Sequence, residues 1–171
     1  MCIRDSLGSQ QFSGAAMTPA KVLELARQKG VRIATAESCT GGMIAAALTD
    51  VAGSSNVFDR GFVTYSNAAK TQMLGVASAM IDTHGAVSEP VARAMADGAL
   101  GRSEAQIAVS VTGIAGPGGS DHKPEGRVCF GLAQDGAVTQ VETVEFGAKG
   151  RAGVRKATVD HALSLLSKAL S

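Results

Sequence analysis

The sequence predicts a single α/β domain of three layers, with a mixed, mostly parallel sheet between two sets of helices. Three observations lead there. Helix-like and strand-like segments alternate along most of the 171 residues. Residues 106–111 form an almost unbroken apolar run, the kind buried on both faces of a sheet. Two late strand-like segments flank Asp135-Gly136, a hairpin signal that turns part of the sheet antiparallel. The length suits one core, and neither an internal repeat nor a linker interrupts residues 17–171.

The elements follow in order. Thr18-Pro19 reads as a helix cap with proline at the first helical position; Val22, Leu25 and Ala26 then recur at helical spacing until Gly30. Residues 31–35 are a short β-branched strand, and Thr40-Gly41-Gly42 opens an alanine-rich helix reaching about Val51. Gly53-Ser54-Ser55 reads as a loop, residues 57–65 as a strand, and Ser66 or Asn67 as the cap of a short helix through Leu74. Ser88 caps a further helix carrying Val91, Met95 and Leu100. After the strand at 106–111 comes a glycine-rich loop, 113–126, then strands at 127–134 and 138–146. The last helix runs from about Arg151 to Leu170, with Val154, Thr158, Ala162, Leu165, Leu166 and Ala169 on one face. Residues 1–16 show no period of either kind and no apolar core of a secretory signal. They are expected to be a disordered or non-native prefix, with the fold starting near Met17.

Composition narrows the function classes. Sixteen basic and fifteen acidic side chains leave a formal charge of +1, too little for the basic field of a nucleic-acid binder. Aromatics are 4%, so no stacking platform for bases is expected. No apolar run reaches the ~20 residues of a membrane span. Cys2, Cys39 and Cys129 are widely spaced and His84, His122 and His161 are scattered, so neither a metal nor another cofactor is expected. A reducing, cytoplasmic setting fits these cysteines. The expected partner is a small molecule, with self-association left open.

In open α/β sheets ligands gather beyond the carboxyl ends of the strands. One strand end delivers Glu37, Ser38, Cys39 and Thr40-Gly41-Gly42; another delivers Tyr65, Ser66, Asn67 and, one turn on, Lys70; a third delivers Thr112 and the glycine loop with Gly113 and Gly116. These groups can converge on one crevice. Ser38 lies where free backbone N–H groups at a helix start can hold an anion or oxyanion, a position that equally suits a simple cap. Cys39 is a rival nucleophile or a small helix-start residue. Lys70 is either a solvated lysine or, with its pKa lowered from ~10.4 by burial, a general base. Tyr65, the only tyrosine, is a site residue or an edge aromatic. The 112–119 stretch lacks the spacing of a P-loop or dinucleotide fingerprint, yet its glycines allow close backbone approach to a phosphate or sugar, unless it is only a surface loop. Arg151, or Arg155 one turn on, could clamp that phosphate.

Five blocks in order carry a resemblance: Thr35-Ala36-Glu37-Ser38-Cys39-Thr40-Gly41-Gly42, Tyr65-Ser66-Asn67-Ala68-Ala69-Lys70, Gly85-Ala86-Val87-Ser88, Thr112-Gly113-Ile114-Ala115-Gly116-Pro117-Gly118-Gly119 and Lys123-Pro124-Glu125-Gly126. From about Thr18 to Leu170 the chain resembles the CinA C-terminal domain family. With no molybdopterin-binding-like domain ahead of it, the chain is expected to be of the stand-alone type, similar to nicotinamide-nucleotide amidohydrolases. The resemblance implies removal of ammonia from nicotinamide mononucleotide, a three-layer α/β/α fold with a mixed sheet, and no required metal. It implies Ser38 as nucleophile, activated with help from Lys70 and Tyr65. Thr112 and Arg151 fall in the family's other site positions, and Thr40, Gly41, Gly42, Gly113 and Gly116 are expected to meet substrate. In the last block, Phe146-Gly147-Ala148-Lys149-Gly150-Arg151, the chain departs from the acidic or Asp-Arg pattern more usual there. The alternatives are a nucleotide-binding module without turnover, or the same chemistry on another amide.

Overall fold

A computed structural model describes residues 17–120 and 122–171; the expectation for residues 1–16 lies outside them. The described chain forms helix α1 (Pro19–Lys29), strand β1 (Ile33–Glu37), α2 (Met43–Thr49), β2 (Phe58–Val63), α3 (Asn67–Leu74), α4 (Ser78–His84), α5 (Glu89–Gly101), β3 (Ile107–Gly113), β4 (Arg127–Gln134), β5 (Gln140–Glu145) and α6 (Gly150–Leu170). The sheet order is β2-β1-β3-β4-β5. β1 pairs in parallel with β2 and β3, while β4 runs antiparallel to both β3 and β5. Four of the five strands therefore point the same way, as the mostly parallel reading expected.

Local signals set many of the boundaries. The Thr18 side chain accepts from the Lys21 N–H, and Gly30 closes α1 in the left-handed conformation at φ 65°. Ser66 caps α3 by accepting from the Ala69 N–H. The Asp135-Gly136 turn is closed by the Ala137 N–H on the Gln134 carbonyl. Three details differ from the sequence reading. Residues 54–56 form one 3₁₀ turn. The Ser88 hydroxyl donates back to the Gly85 carbonyl at 2.8 Å instead of capping α5. Helix α4 was not foreseen, because its seven residues bury only Ile81 and so carry no apolar stripe.

The two faces of the sheet are packed differently. Under α1, α2 and α6 lie Ile33, Ile107, Val109, Val111, Phe130 and Leu132. The opposite face presents Ala34, Ala36, Ala108, Ser110 and Gly131 to α5. Alternation along each strand sends large side chains one way and small ones the other. The small face lets α5 come close: the Ser110 hydroxyl donates to the Ala92 carbonyl at 2.6 Å, and a Cβ on Gly131 would stand 2.5 Å from that same oxygen. Where α5 meets the end of α3, a Cβ on Gly98 would stand 2.1 Å from the Leu74 carbonyl oxygen. Gly98→Ala is therefore expected to destabilise the fold by about 1–3 kcal/mol through overpacking, although alanine favours a helix by ~1 kcal/mol. Gly101→Ala, with open space around its Cβ, should be neutral or mildly stabilising. Urea midpoints of the two variants against the parent check this, and equal midpoints for Gly98→Ala would refute the close contact.

Candidate active site

Glu37, the last residue of β1, organises the segment that follows. Its carboxylate is 1% exposed. It accepts from the Thr40 hydroxyl at 2.6 Å and from the N–H groups of Ile44 and Ala45 at 2.8 and 3.1 Å. A negative charge on the first turn of α2 satisfies orphan donors and complements the helix dipole. It also means that this helix start is already occupied. The expectation of free N–H groups along it needs correcting: the Gly41 N–H goes to the Ser38 carbonyl, and the Met43 N–H to the Thr40 carbonyl. Among the described residues no carbonyl accepts from the N–H of Cys39, which lies against its own thiol, and Cys39 borders the cavity described below. Gly41 and Gly42 are both left-handed, at φ 59° and 106°, which is what carries the chain from strand to helix around Ser38.

Ser38 is pinned by its own N–H on the Val111 carbonyl, and Thr64 by its N–H on the Glu37 carbonyl. These two bonds bring the ends of β1, β2 and β3 together. From α3, Lys70 reaches back into this junction and is 1% exposed. Its Nζ lies 3.0 Å from Ser38 Oγ, 3.0 Å from the Thr64 carbonyl oxygen and 3.4 Å from that of Tyr65. Burial pushes the Lys70 ammonium below its ordinary pKa, with the nearby Cys39 opposing. A neutral amine has two N–H donors and one lone pair. It can donate to the two carbonyls and accept from the Ser38 hydroxyl, whereas an ammonium donates to all three. Cys39 is in the opposite situation, since burial pushes its thiol up to about 11, so it stays protonated near neutral pH.

Ser38, Lys70, Tyr65, Thr112 and Arg151 line one cavity of about 370 Å³, with Gly113 and Gly116 in its wall. The Thr112 hydroxyl donates to the Ala86 carbonyl at 3.0 Å. Arg151, at the start of α6, donates to the Gly116 carbonyl and to the Tyr65 phenol oxygen, both at 2.7 Å. The Tyr65 phenol thus meets the arginine, whereas Lys70 meets the Tyr65 backbone, so no phenol stands between Lys70 and Ser38. Thr40, Gly41 and Gly42, expected to meet substrate, do not line the cavity. Thr40 is turned to Glu37, and the two glycines serve the turn. Arg155 is also away from the cavity, donating to the carbonyls of Cys39 and Thr40 at 3.1 and 3.2 Å.

The glycine-rich wall is held by two side chains of the Lys123–Gly126 block, to which sequence reading assigned no role of their own. Glu125 accepts from the Gly118 N–H at 2.8 Å and the Gly150 N–H at 3.4 Å, tying the wall to the start of α6. Lys123 donates to the carbonyls of His84 and Val87 at the other side. Gly116, at φ 88°, is required by this packing, because a Cβ there would stand 2.1 Å from Glu125 Oε1. Asn67, in the same block as Tyr65 and Lys70, also borders the cavity. Glu37 was legible in principle, as an acidic residue just before a helix start; Glu125 and Lys123 stood in one of the family blocks, but their partners at Gly150, His84 and Val87 lie too far along the chain for a role to be read. Among the described residues no group of three or more metal-binding side chains occurs, and no helix is long and apolar enough to cross a membrane.

Comparison with known proteins agrees with this architecture. The CinA C-terminal domain profile matches residues 16–170. A CinA-like protein of Mycolicibacterium vanbaalenii is 47% identical over 171 residues, covering 99% of this chain and 40% of that protein. A CinA-like protein of Akkermansia muciniphila is 49% identical over 153 residues, 89% of this chain and 36% of that protein. The chain thus spans about two fifths of the length of these curated relatives. Among solved structures, competence/damage inducible protein CihA from Agrobacterium tumefaciens superposes with a TM-score of 0.81 at 50% identity, over 90% of this chain and 97% of that one. The competence damage-inducible protein A of Klebsiella pneumoniae gives 0.85 at 39% identity, over 89% and 94%. With the family's sequence and fold both present, the chain belongs to the CinA C-terminal domain family.

Proposed function

We propose that the protein is an amidohydrolase that deamidates nicotinamide mononucleotide to nicotinate mononucleotide and ammonia. The observation that carries this reading is the 3.0 Å approach of the buried Lys70 Nζ to Ser38 Oγ. Neutral Lys70 takes the Ser38 hydroxyl proton as Oγ attacks the carboxamide carbon. The Cys39 N–H supports the tetrahedral oxyanion. The lysine then returns the proton to the departing nitrogen, giving ammonia and a nicotinoyl ester on Ser38. Water, deprotonated by the same amine, hydrolyses that ester. Arg151, oriented by Tyr65 and Gly116, keeps further N–H donors for a phosphate, and Thr112 offers a hydroxyl to the ribose or amide.

Ser38→Ala should abolish ammonia release by several orders of magnitude while leaving the fold intact, and Cys39→Ala should be nearly silent. Activity within tenfold of the parent for Ser38→Ala would refute the nucleophile, and nucleotide binding without any turnover in the parent would favour a binding module.

The buried lysine gives a pH dependence with a definite sign. kcat/KM should rise with pH and level off at an apparent pKa below the ordinary 10.5 of lysine. Lys70→Arg keeps the charge, cannot act as a base, and should be inactive. Because the folded pKa is the lower one, the unfolded chain binds more protons between the two values. Stability should therefore rise with pH across that window, and Lys70→Met should remove the rise. A flat stability profile in the parent would show that the ammonium is not penalised.

Arg151→Ala tests the anchoring group. The parent should turn over the mononucleotide at least ~100-fold better than nicotinamide, from about 3 kcal/mol of charge-assisted phosphate binding. The variant should lose most of this preference through KM, and an unchanged preference would move the phosphate elsewhere.

A further inference from the structure

The first two turns of α6 send two guanidinium groups in one direction, since residues four apart share a helix face. Arg151 reaches the cavity. Arg155 does not, and no carboxylate pairs with it among the described salt bridges. Its Nε and Nη2 instead donate to two consecutive carbonyls, those of Cys39 and Thr40, directly after Ser38. The guanidinium also lies against the turn itself: a Cβ on Gly41 would stand 3.5 Å from Nη2.

That turn needs an external brace. It contains two successive left-handed glycines, whose backbone has little conformational preference of its own. Ser38 is fixed on one side by its N–H on the Val111 carbonyl. The planar fork of Arg155 fixes the two peptide units on the other side. Between these two restraints lies the Ser38–Cys39 peptide, and both of its residues border the cavity. A lysine at position 155 could offer a charge, but not two N–H groups at the fixed angle that two adjacent carbonyls require.

We infer that Arg155 is a positioning residue for the acyl-transfer step, bracing the Ser38 turn so that Ser38 Oγ and the Cys39 N–H act on the same substrate atom pair. The inference rests on the reading of Ser38 as nucleophile. Arg155 touches no substrate, so its loss should lower kcat with KM for the mononucleotide nearly unchanged, the reverse of Arg151.

The test uses the full chain and a fluorophosphonate probe, which needs no amide specificity. Ser38 Oγ bonds to phosphorus, fluoride leaves, and Lys70 takes the hydroxyl proton, while the phosphoryl oxygen occupies the oxyanion position. The second-order rate of Ser38 labelling is read by mass spectrometry for the parent, Arg155→Ala and Arg155→Lys, beside kcat, KM and thermal unfolding. Arg155→Ala should label and turn over at least ~10-fold more slowly, as expected when a reacting group is misplaced by a fraction of an ångström, with KM within about twofold. Arg155→Lys, which keeps the charge should the alanine variant fail to fold, should fall between the two. A labelling rate and kcat at the parent level in either folded variant would overturn the inference, whatever happens to the melting temperature. A parent that is not labelled at Ser38 would overturn the nucleophile reading and this inference with it, whereas equal labelling of parent and variants overturns this inference alone.

Discussion

The buried carboxylate of Glu37 is the constraint on which the rest of the site depends. A carboxylate with 1% exposure must have its oxygens satisfied by protein donors, and here the donors all come from the next eight residues. That requirement fixes the angle at which α2 leaves β1, and with it the turn that holds Ser38. The same residue acts a second time through its backbone. Its carbonyl receives the Thr64 N–H, and the Thr64 carbonyl in turn receives Lys70 Nζ. The hydroxyl and the amine that face each other are thus both referenced to one residue at the end of the central parallel strands.

The second constraint is spatial. Lys70 is a buried residue of α3 whose amine meets the junction of strand ends, and α3 packs, through Leu74, on the side of the sheet lined by Ala34 and Ala36. Small side chains on this face allow α5 to sit close. Burial disfavours the ammonium, while the two carbonyls and the hydroxyl are hydrogen-bond partners for either form of the amine.

Much of this was legible in the sequence because it is encoded locally. The Thr18 and Ser66 caps, the Gly30 stop, the Asp135-Gly136 hairpin and the apolar run of β3 each rest on a few neighbouring residues. The gathering of Ser38, Tyr65, Lys70 and Thr112 at one edge followed from a topological rule together with the alternation of elements. What escaped the sequence depends on partners far along the chain. The Tyr65 phenol is taken by Arg151, 86 residues away, and the Cys39 and Thr40 carbonyls by Arg155, more than 100 residues away. Gly98 and Gly131 each mark a close approach to a backbone carbonyl that no window of sequence contains. Thr40, Gly41 and Gly42 lie off the cavity for a related reason: a glycine pair signals a backbone need, and the sequence alone did not separate a turn from a cavity wall.

The hairpin between β3 and β4 has a consequence for how such a domain can diversify. Because β4 runs back against β3, their connection emerges at the same edge as Ser38 and returns without a crossover helix. The wall of the cavity is therefore an excursion between two strands whose pairing is complete at Gly113–Val128. Residues can be inserted into or deleted from it while every ladder keeps its register, provided the footholds at Lys123, Glu125 and Gly116 survive. Ser38 and Lys70 follow the parallel strands β1 and β2 and are insulated from such changes. The loop wall and the Ser38–Lys70 pair are thus separately heritable, so a lineage can reshape the one without disturbing the other.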